Sequence, residues 1–500
     1  MKTKIIKRLF AVVLALTVVF VPLISVGAQG ENERLYPTIY IHGFMAKDVY
    51  KNPDDKDAGT AWPLVTDDIM TAVKEALPVI AKFAVLKDWD SFGKELSPVF
   101  AKLFAPVCCD SEGSVSNGSG IIFDYPEKNT INAEGTYDFD YDWRLDPLII
   151  AQQLNDYVNY IIEASGSDKV NIICHSFGGV VTMSYLALYG NSKIAGVCFF
   201  ASAPYGERYN GEMMSGNIGF EGEGVVEYLK GMLSDNDYNY LISLALDILN
   251  MSGILKPICD CANYAVEKIL PVAAAEAILP MFANWLPIWS MVPDEYLEGA
   301  KDYVFNTIYK DEDRSVILSK IDEFNEKVRY KREDILKDLN ENAHLIIISG
   351  YGLSTVPLIK NWQCNCDDTI DTKNTSFGAT VAPYGETLGE EYLAKAKAEY
   401  ISPEKNIDAS TCQYPEQTWF ISNMKHTASS DSLDEMMMTL LRSPEQPTVS
   451  TYSQYPRFLE YSAQADTVLP HTEAKTISFI QKIILALKDI IKLITSLFNK

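Results

Sequence analysis

Apolar residues change their period several times along the chain, and each change marks a new element. Residues 36–41 (YPTIYI) alternate and carry β-branched side chains, the period-two pattern of a strand, and run directly into His42-Gly43-Phe44-Met45. Helical spacing follows at 63–77 and again at 146–164, where Asp146 stands in a capping position and Pro147 in the first turn. Unbroken apolar runs at 170–174 and 194–200 read as strands buried on both faces. Strands alternating with helices in this way predict a mainly parallel sheet covered on both sides. The alternation stops between about Tyr205 and Asn340, where the chain turns helical, acidic and aromatic, including ANWLPIWSMVPDEYLEG at 283–299. It resumes at His344 with LIIISGYG. An insertion between core strands with no linker at either end predicts a cap over a site, not a separate domain.

The two ends carry patterns of their own. Lys2, Lys4, Lys7 and Arg8 precede an apolar stretch from Leu9 to Val26 and the small-residue site Val26-Gly27-Ala28, which predicts a secretory signal over 1–28 and a secreted protein. The alternative is an uncleaved membrane anchor, because the stretch approaches spanning length. Near the other end, Ser478, Lys482, Asp489, Lys492, Thr495 and Asn499 recur at near-helical spacing among isoleucine, leucine and phenylalanine. Lysines at 475, 482, 488, 492 and 500 make this helix basic. It suits peripheral contact with an anionic lipid surface through 475–500, or packing on the protein body.

Composition narrows the class. The 500 residues carry a formal charge of -24, which becomes -28 once the four leader cations are removed, and so acidic a surface excludes nucleic acid as a partner. Nine cysteines are an odd number. Cys174 and Cys198 fall inside apolar strand runs and are expected to be buried free thiols. The others include Cys364, Cys366 and Cys412, and in an exported chain disulfides are the expected use, since no cysteine cluster has a histidine at ligand spacing. No metal and no organic cofactor is expected.

The chemistry concentrates at 170–181, VNIICHSFGGVV. A serine at a sharp turn from strand to helix, with small residues two places before and after it, presents an exposed and activated hydroxyl. Ser176 is therefore the candidate nucleophile, with Cys174 where G-x-S-x-G has its first glycine. The strand-to-loop passage at His42-Gly43-Phe44 suits one half of an oxyanion hole, so the backbone amides of Phe44 and Phe177 are its candidate donors. A serine nucleophile needs a base, and a carboxylate to orient that base. Of five histidines, His175, His42 and His344 are placed wrongly, leaving His426, before an amphipathic helix, and His471 as runner-up. The loop after the strand at 344–349 carries Cys366-Asp367-Asp368-Thr369, which resembles the D-G-T-V loop of many lipases and makes Asp367 the candidate acid, with Asp368 as its alternative.

Several separated motifs coincide: Tyr141-Asp142-Trp143-Arg144, CHSFGG, NWLPIWSMVPDEYLE and SGYGLST before CDDT. Together they resemble the lecithin:cholesterol acyltransferase family, with its phospholipid:diacylglycerol acyltransferase and lysosomal phospholipase A2 relatives. The resemblance implies an α/β-hydrolase core at 29–204 and 341–470, a cap or lid at 205–340, and an acyl-enzyme formed from a lipid ester on Ser176, Asp367 and His426. The expected function is a secreted serine ester hydrolase acting on lipid acyl esters. The alternatives are an O-acyltransferase that passes the acyl group to an alcohol, and a non-catalytic lipid-binding or surface-adhesion protein on the same scaffold. Trp143 and Arg144 are expected to be architectural, one in the core and the other paired with a carboxylate. Cysteines on the acid and base loops further suggest a disulfide between Cys412 and Cys364 or Cys366 that staples those loops.

Overall fold

The computed structural model describes residues 34–234, 238–273, 282–474 and 479–498; the expected leader at 1–28 and the lysines at 475 and 500 lie outside the described residues. Eight strands form one sheet: β1 (Thr38–Ile41), β2 (Thr136–Phe139), β3 (Val170–Ser176), β4 (Ile194–Ser202), β5 (His344–Tyr351), β6 (Thr418–Ser422), β7 (Phe458–Ser462) and β8 (Thr467–Pro470). In space they follow the order β8-β7-β6-β5-β4-β3-β1-β2. All neighbours are parallel except β7 and β8 at one edge. The fold is thus mixed α/β, and the four strands expected from sequence, β1 from its alternation and β3, β4 and β5 from apolar runs, are consecutive neighbours in the sheet. Side chains alternate across the pleat, so Leu345 and Ile347 of β5 enter the core on one face while Ile346 and Ile348 enter it on the other. That two-sided burial is why these strands read as continuous apolar runs.

Helices cover both faces. α1 (Thr66–Leu86) and α2 (Trp89–Phe104) follow β1, and α1 extends well beyond the helix expected at 63–77. α3 (Pro147–Ser165) starts as its sequence predicts, with the Asp146 carboxylate accepting the Leu148 N–H at 2.9 Å. α4 (Gly178–Tyr189) follows β3 and is buried along most of its length. On the opposite face lies α10 (Asp431–Leu441), numbered after the insertion helices, which buries Leu433, Met436, Met437 and Leu440.

The insertion is helical, as expected, but it divides. α5 (Gly222–Met232), α6 (Asn239–Met251) and α7 (Leu255–Ala273) pack among themselves and against α2. α8 (Ser315–Lys327) and α9 (Arg332–Asn342) instead lie against α4, and α9 also against β5. Ile317, Ile321, Leu336 and Leu339 recur at helical spacing and are buried there. The expected cap over 205–340 is therefore corrected: α8 and α9, at its end, belong to the layer that covers the sheet.

α11 (Phe479–Phe498) packs on α6 through one face, where the Asp489 carboxylate accepts the Leu241 N–H at 3.0 Å and Lys482 meets Asp247 at 2.8 Å. Its Ile484, Leu487 and Ile491 remain exposed. Among the described residues no single helix is long and apolar enough to cross a membrane, although α6 and the start of α7 pass that test together as a pair bent by 74°.

The Tyr141-Asp142-Trp143-Arg144 segment is architectural. Trp143 is buried in the core and donates from its indole to the Lys47 carbonyl at 3.0 Å. Arg144, fully buried, grips both Asp142 oxygens at 2.9 and 2.6 Å and donates to the Ser119 hydroxyl at 2.7 Å. Removing one partner of a buried pair strands the other charge. Asp142→Asn is accordingly expected to lower the unfolding free energy by about 3–5 kcal/mol in urea titration, whereas substitution of the exposed partners Lys94 and Asp90 should change it little.

Candidate active site

Ser176 ends β3 with φ at +56°, a left-handed conformation that a serine adopts only under constraint. The constraint comes from three glycines. A Cβ on Gly178 would stand 2.4 Å from the Ile41 carbonyl oxygen, and one on Gly179 would stand 2.7 Å from Ser202 Cβ. From the other side, a Cβ on Gly43 would stand 2.9 Å from Ser176 Cβ. The chain leaving β1 thus passes directly over the serine. Cys174 is tolerated in place of a glycine because its side chain has room between β3 and β4: its thiol donates to the Cys198 carbonyl at 3.5 Å, and burial pushes that thiol up to about 12. It is a neutral packing group, as is the buried Cys198.

The loops after β5 and β6 bring Asp367 and His426 together. His426 Nδ1 donates to Asp367 Oδ2 at 2.9 Å, and the His426 backbone N–H donates to the Asp367 carbonyl at 2.6 Å. Gly350, near the end of β5, makes room for both loops, since a Cβ there would stand 2.7 Å from Asp367 Cβ and 2.8 Å from the Met424 carbonyl. Asp367 is fully buried, and its Oδ1 accepts the N–H groups of Thr369 at 3.1 Å and Ile370 at 2.7 Å. Burial alone would lower the His426 pKa; the charge of Asp367 and its hydrogen bond outweigh that and raise it above 6.5.

The alternatives go elsewhere. Asp368 adopts φ +78° and turns its carboxylate to the Thr369 hydroxyl at 2.9 Å, leaving the imidazole to Asp367; burial and then the neighbouring Asp367 raise its pKa. A left-handed residue explains why that position of the loop resembles one that holds glycine. His471 pairs with Glu404 on another part of the molecule.

His426 is also tied to the serine strand. His175 Nε2 donates to the His426 carbonyl at 2.7 Å, and the two rings lie 4.6 Å apart. Burial, followed by the neighbouring imidazole of His426, pushes His175 down to about 3, so it is neutral and holds the base loop in place without competing for the proton. Ser176 Oγ and His426 Nε2 have no hydrogen-bond partner among the described residues, nor do the Phe44 and Phe177 N–H groups. The Phe44 and Phe177 rings meet edge to face at 6.0 Å, which fixes the two loops that carry those amides.

Two features were not foreseen. Glu207, in the turn after β4, lies close enough to His426 to feel its charge, and burial pushes its carboxyl up to about 8. Nothing in the sequence around it marks that role. The expected staple is absent: all nine cysteines are free, Cys366 donates from its thiol to the Leu353 carbonyl at 3.2 Å, and Cys412 is buried with Ile407, Ala409 and Phe420. The acid and base loops are held instead by the backbone bond between Asp367 and His426.

No family model matches the chain, and no curated protein matches it. Among solved structures it is similar to a chain in the crystal structure of the Tle4–Tli4 complex, at 12% identity and a TM-score of 0.24, over 64% of this chain and 75% of that one. A likeness that distant carries no argument about fold or chemistry.

The coupling between Asp367 and His426 is directly measurable. By NMR titration of the imidazole, His426 should have its midpoint above 6.5 in the native protein. In Asp367→Asn, which removes the largest of the groups that raise it, the midpoint should fall. An unchanged midpoint would remove Asp367 as the cause.

Proposed function

We propose that the chain is a secreted serine ester hydrolase of the α/β-hydrolase fold, acting on lipid acyl esters. The observation that carries this reading is the left-handed Ser176 at the carboxyl end of a central parallel strand, whose neighbour His175 is hydrogen-bonded to the backbone of a histidine that holds a buried carboxylate on its Nδ1. In this reading Ser176 Oγ attacks the acyl carbonyl while His426 Nε2 takes its proton, and Asp367 holds the imidazole in the tautomer that leaves Nε2 free to accept. The unpaired N–H groups of Phe44 and Phe177 stabilise the oxyanion. The His426 imidazolium then gives its proton to the departing alcohol, and water reverses the sequence to release the acid. No family model matches, so the proposal rests on the site and not on a resemblance.

A lipid substrate is supported by surface chemistry. Ile248, Met251, Ile254 and Ile258 on α6, α7 and the turn between them, with Leu487 and Ile491 on α11, are exposed apolar residues. Such surface is unfavourable in water and is accommodated by acyl chains, which also makes α11 and its lysines a candidate peripheral contact with lipid.

Ester hydrolysis is the test, measured on an emulsified long-chain ester and a soluble short-chain one. Ser176→Ala and His426→Ala should each lower kcat by about 10⁴-fold or more with folding intact, His471→Ala should retain most activity, and the emulsified ester should turn over faster. In the native enzyme the rate should rise with pH through a midpoint above 6.5, because only the neutral imidazole accepts the serine proton. Inactivity of His471→Ala alone would contradict the assignment, and acyl transfer to an added alcohol in preference to water would make the enzyme an acyltransferase.

A further inference from the structure

His471 belongs to a second site. Its Nε2 pairs with Glu404, and its Nδ1 lies 3.8 Å from Glu460. These residues line a cavity of about 970 Å³, a volume in the range of small-molecule sites. The cavity lies at the carboxyl ends of β5 and β6, where Tyr351 and Ser422 contribute, and beside Glu460 of β7, and α5 borders it from the insertion with Glu223 and Glu227. Parallel sheets commonly place ligands at that end.

The wall has three chemical features. Five glutamates line it, Glu223, Glu227, Glu386, Glu404 and Glu460, while no lysine or arginine does among the described residues. Glu227 is partly neutralised by Lys230 at 2.6 Å, but the exposed Glu223 and Glu386 form no ion pair among the described residues. The second feature is aromatic: Trp362 and Tyr384 pair at 6.3 Å and 55° beside Glu227, to which the Tyr384 hydroxyl donates at 3.2 Å. The third is a pair of buried amides. Asn365, 4% exposed, accepts the Gly352 N–H on its Oδ1 at 2.7 Å, and Asn406, 9% exposed, accepts the Ser402 hydroxyl on its Oδ1 at 2.7 Å. Neither Nδ2 has a partner among the described residues, and both asparagines line the cavity.

We propose that this cavity binds a cationic, hydroxyl-bearing ligand of the amino-sugar class, at a site separate from Ser176. The exposed Glu223 and Glu386 favour positive charge, and the acidic wall repels a phosphate head group. The aromatic pair offers faces to an ammonium or to sugar C–H groups. The two Nδ2 donors that no described residue engages offer hydrogen bonds to acceptor oxygens, which a bare metal ion or an aliphatic polyamine lacks. This inference stands apart from the hydrolase reading, since none of the residues that carry it touches Ser176 or His426 in the contacts above.

Isothermal titration of the full chain with a glucosamine trisaccharide, its fully N-acetylated counterpart and spermidine tests it. The trisaccharide amine should bind, more weakly as salt rises, and more tightly than either of the other two. The double variant E223Q/E386Q should lose about tenfold in affinity while hydrolysing esters at the native rate. Ser176→Ala should bind the trisaccharide as the native chain does, which separates this site from the fate of the hydrolase proposal. Absence of binding, equal binding of the N-acetylated sugar or of spermidine, or an unaltered affinity in the double variant would each overturn the proposal.

Discussion

The turn at Ser176 is the constraint around which the site is arranged. A serine in the left-handed region costs on the order of 1–3 kcal/mol, and it persists only where its surroundings leave no other conformation. Here the neighbours crowd that turn so closely that Gly43, Gly178 and Gly179 have no space for a side chain: Gly178 faces the Ile41 and His42 carbonyls, Gly179 the Ser202 side chain, and Gly43 Ser176 itself. β1 and β4 flank β3 as parallel neighbours, so the segments leaving all three strands must share one edge of the sheet. The hydroxyl ends up beside the loop after β1, and the two candidate oxyanion amides flank it for the same reason.

The rest of the constellation reaches that edge by the same topology. β5 and β6 are the next parallel strands, and the loops that leave them carry Asp367 and His426. Their joining is both main-chain and side-chain, which spares the protein a covalent staple. His175 adds a second tie, from the serine strand to the base loop, and burial keeps it neutral. Glu207 adds a carboxyl whose proton is retained at neutral pH, so it does not compete with Asp367 for the positive imidazole.

Much of this was legible because it is local. Apolar runs of five to seven residues reported strands buried on both faces, the Asp146-Pro147 start reported a helix, and HSFGG reported a turn whose glycines have a steric reason. What was illegible depends on separation along the chain. α8 and α9 resemble any amphipathic helices until one sees that their apolar stripes meet α4 and β5. The short strands β6 to β8 lack long apolar runs, and β8 is an edge strand with two exposed residues. Pairing of cysteines cannot be inferred from the loops they occupy, because the direction of each thiol is set by neighbours such as the Leu353 carbonyl. His471 carried a base-like position in the sequence, yet its partners are the glutamates of a separate cavity.

The central claim is that Ser176 is held as an activated nucleophile by His426 and Asp367. Treating the folded protein with a fluorophosphonate and mapping the modified peptide by mass spectrometry tests it most directly. The account predicts a single phosphonylated residue, Ser176, with labelling abolished in His426→Ala and retained in His471→Ala. Modification at another serine, or labelling of Ser176 that is indifferent to loss of His426, would contradict it.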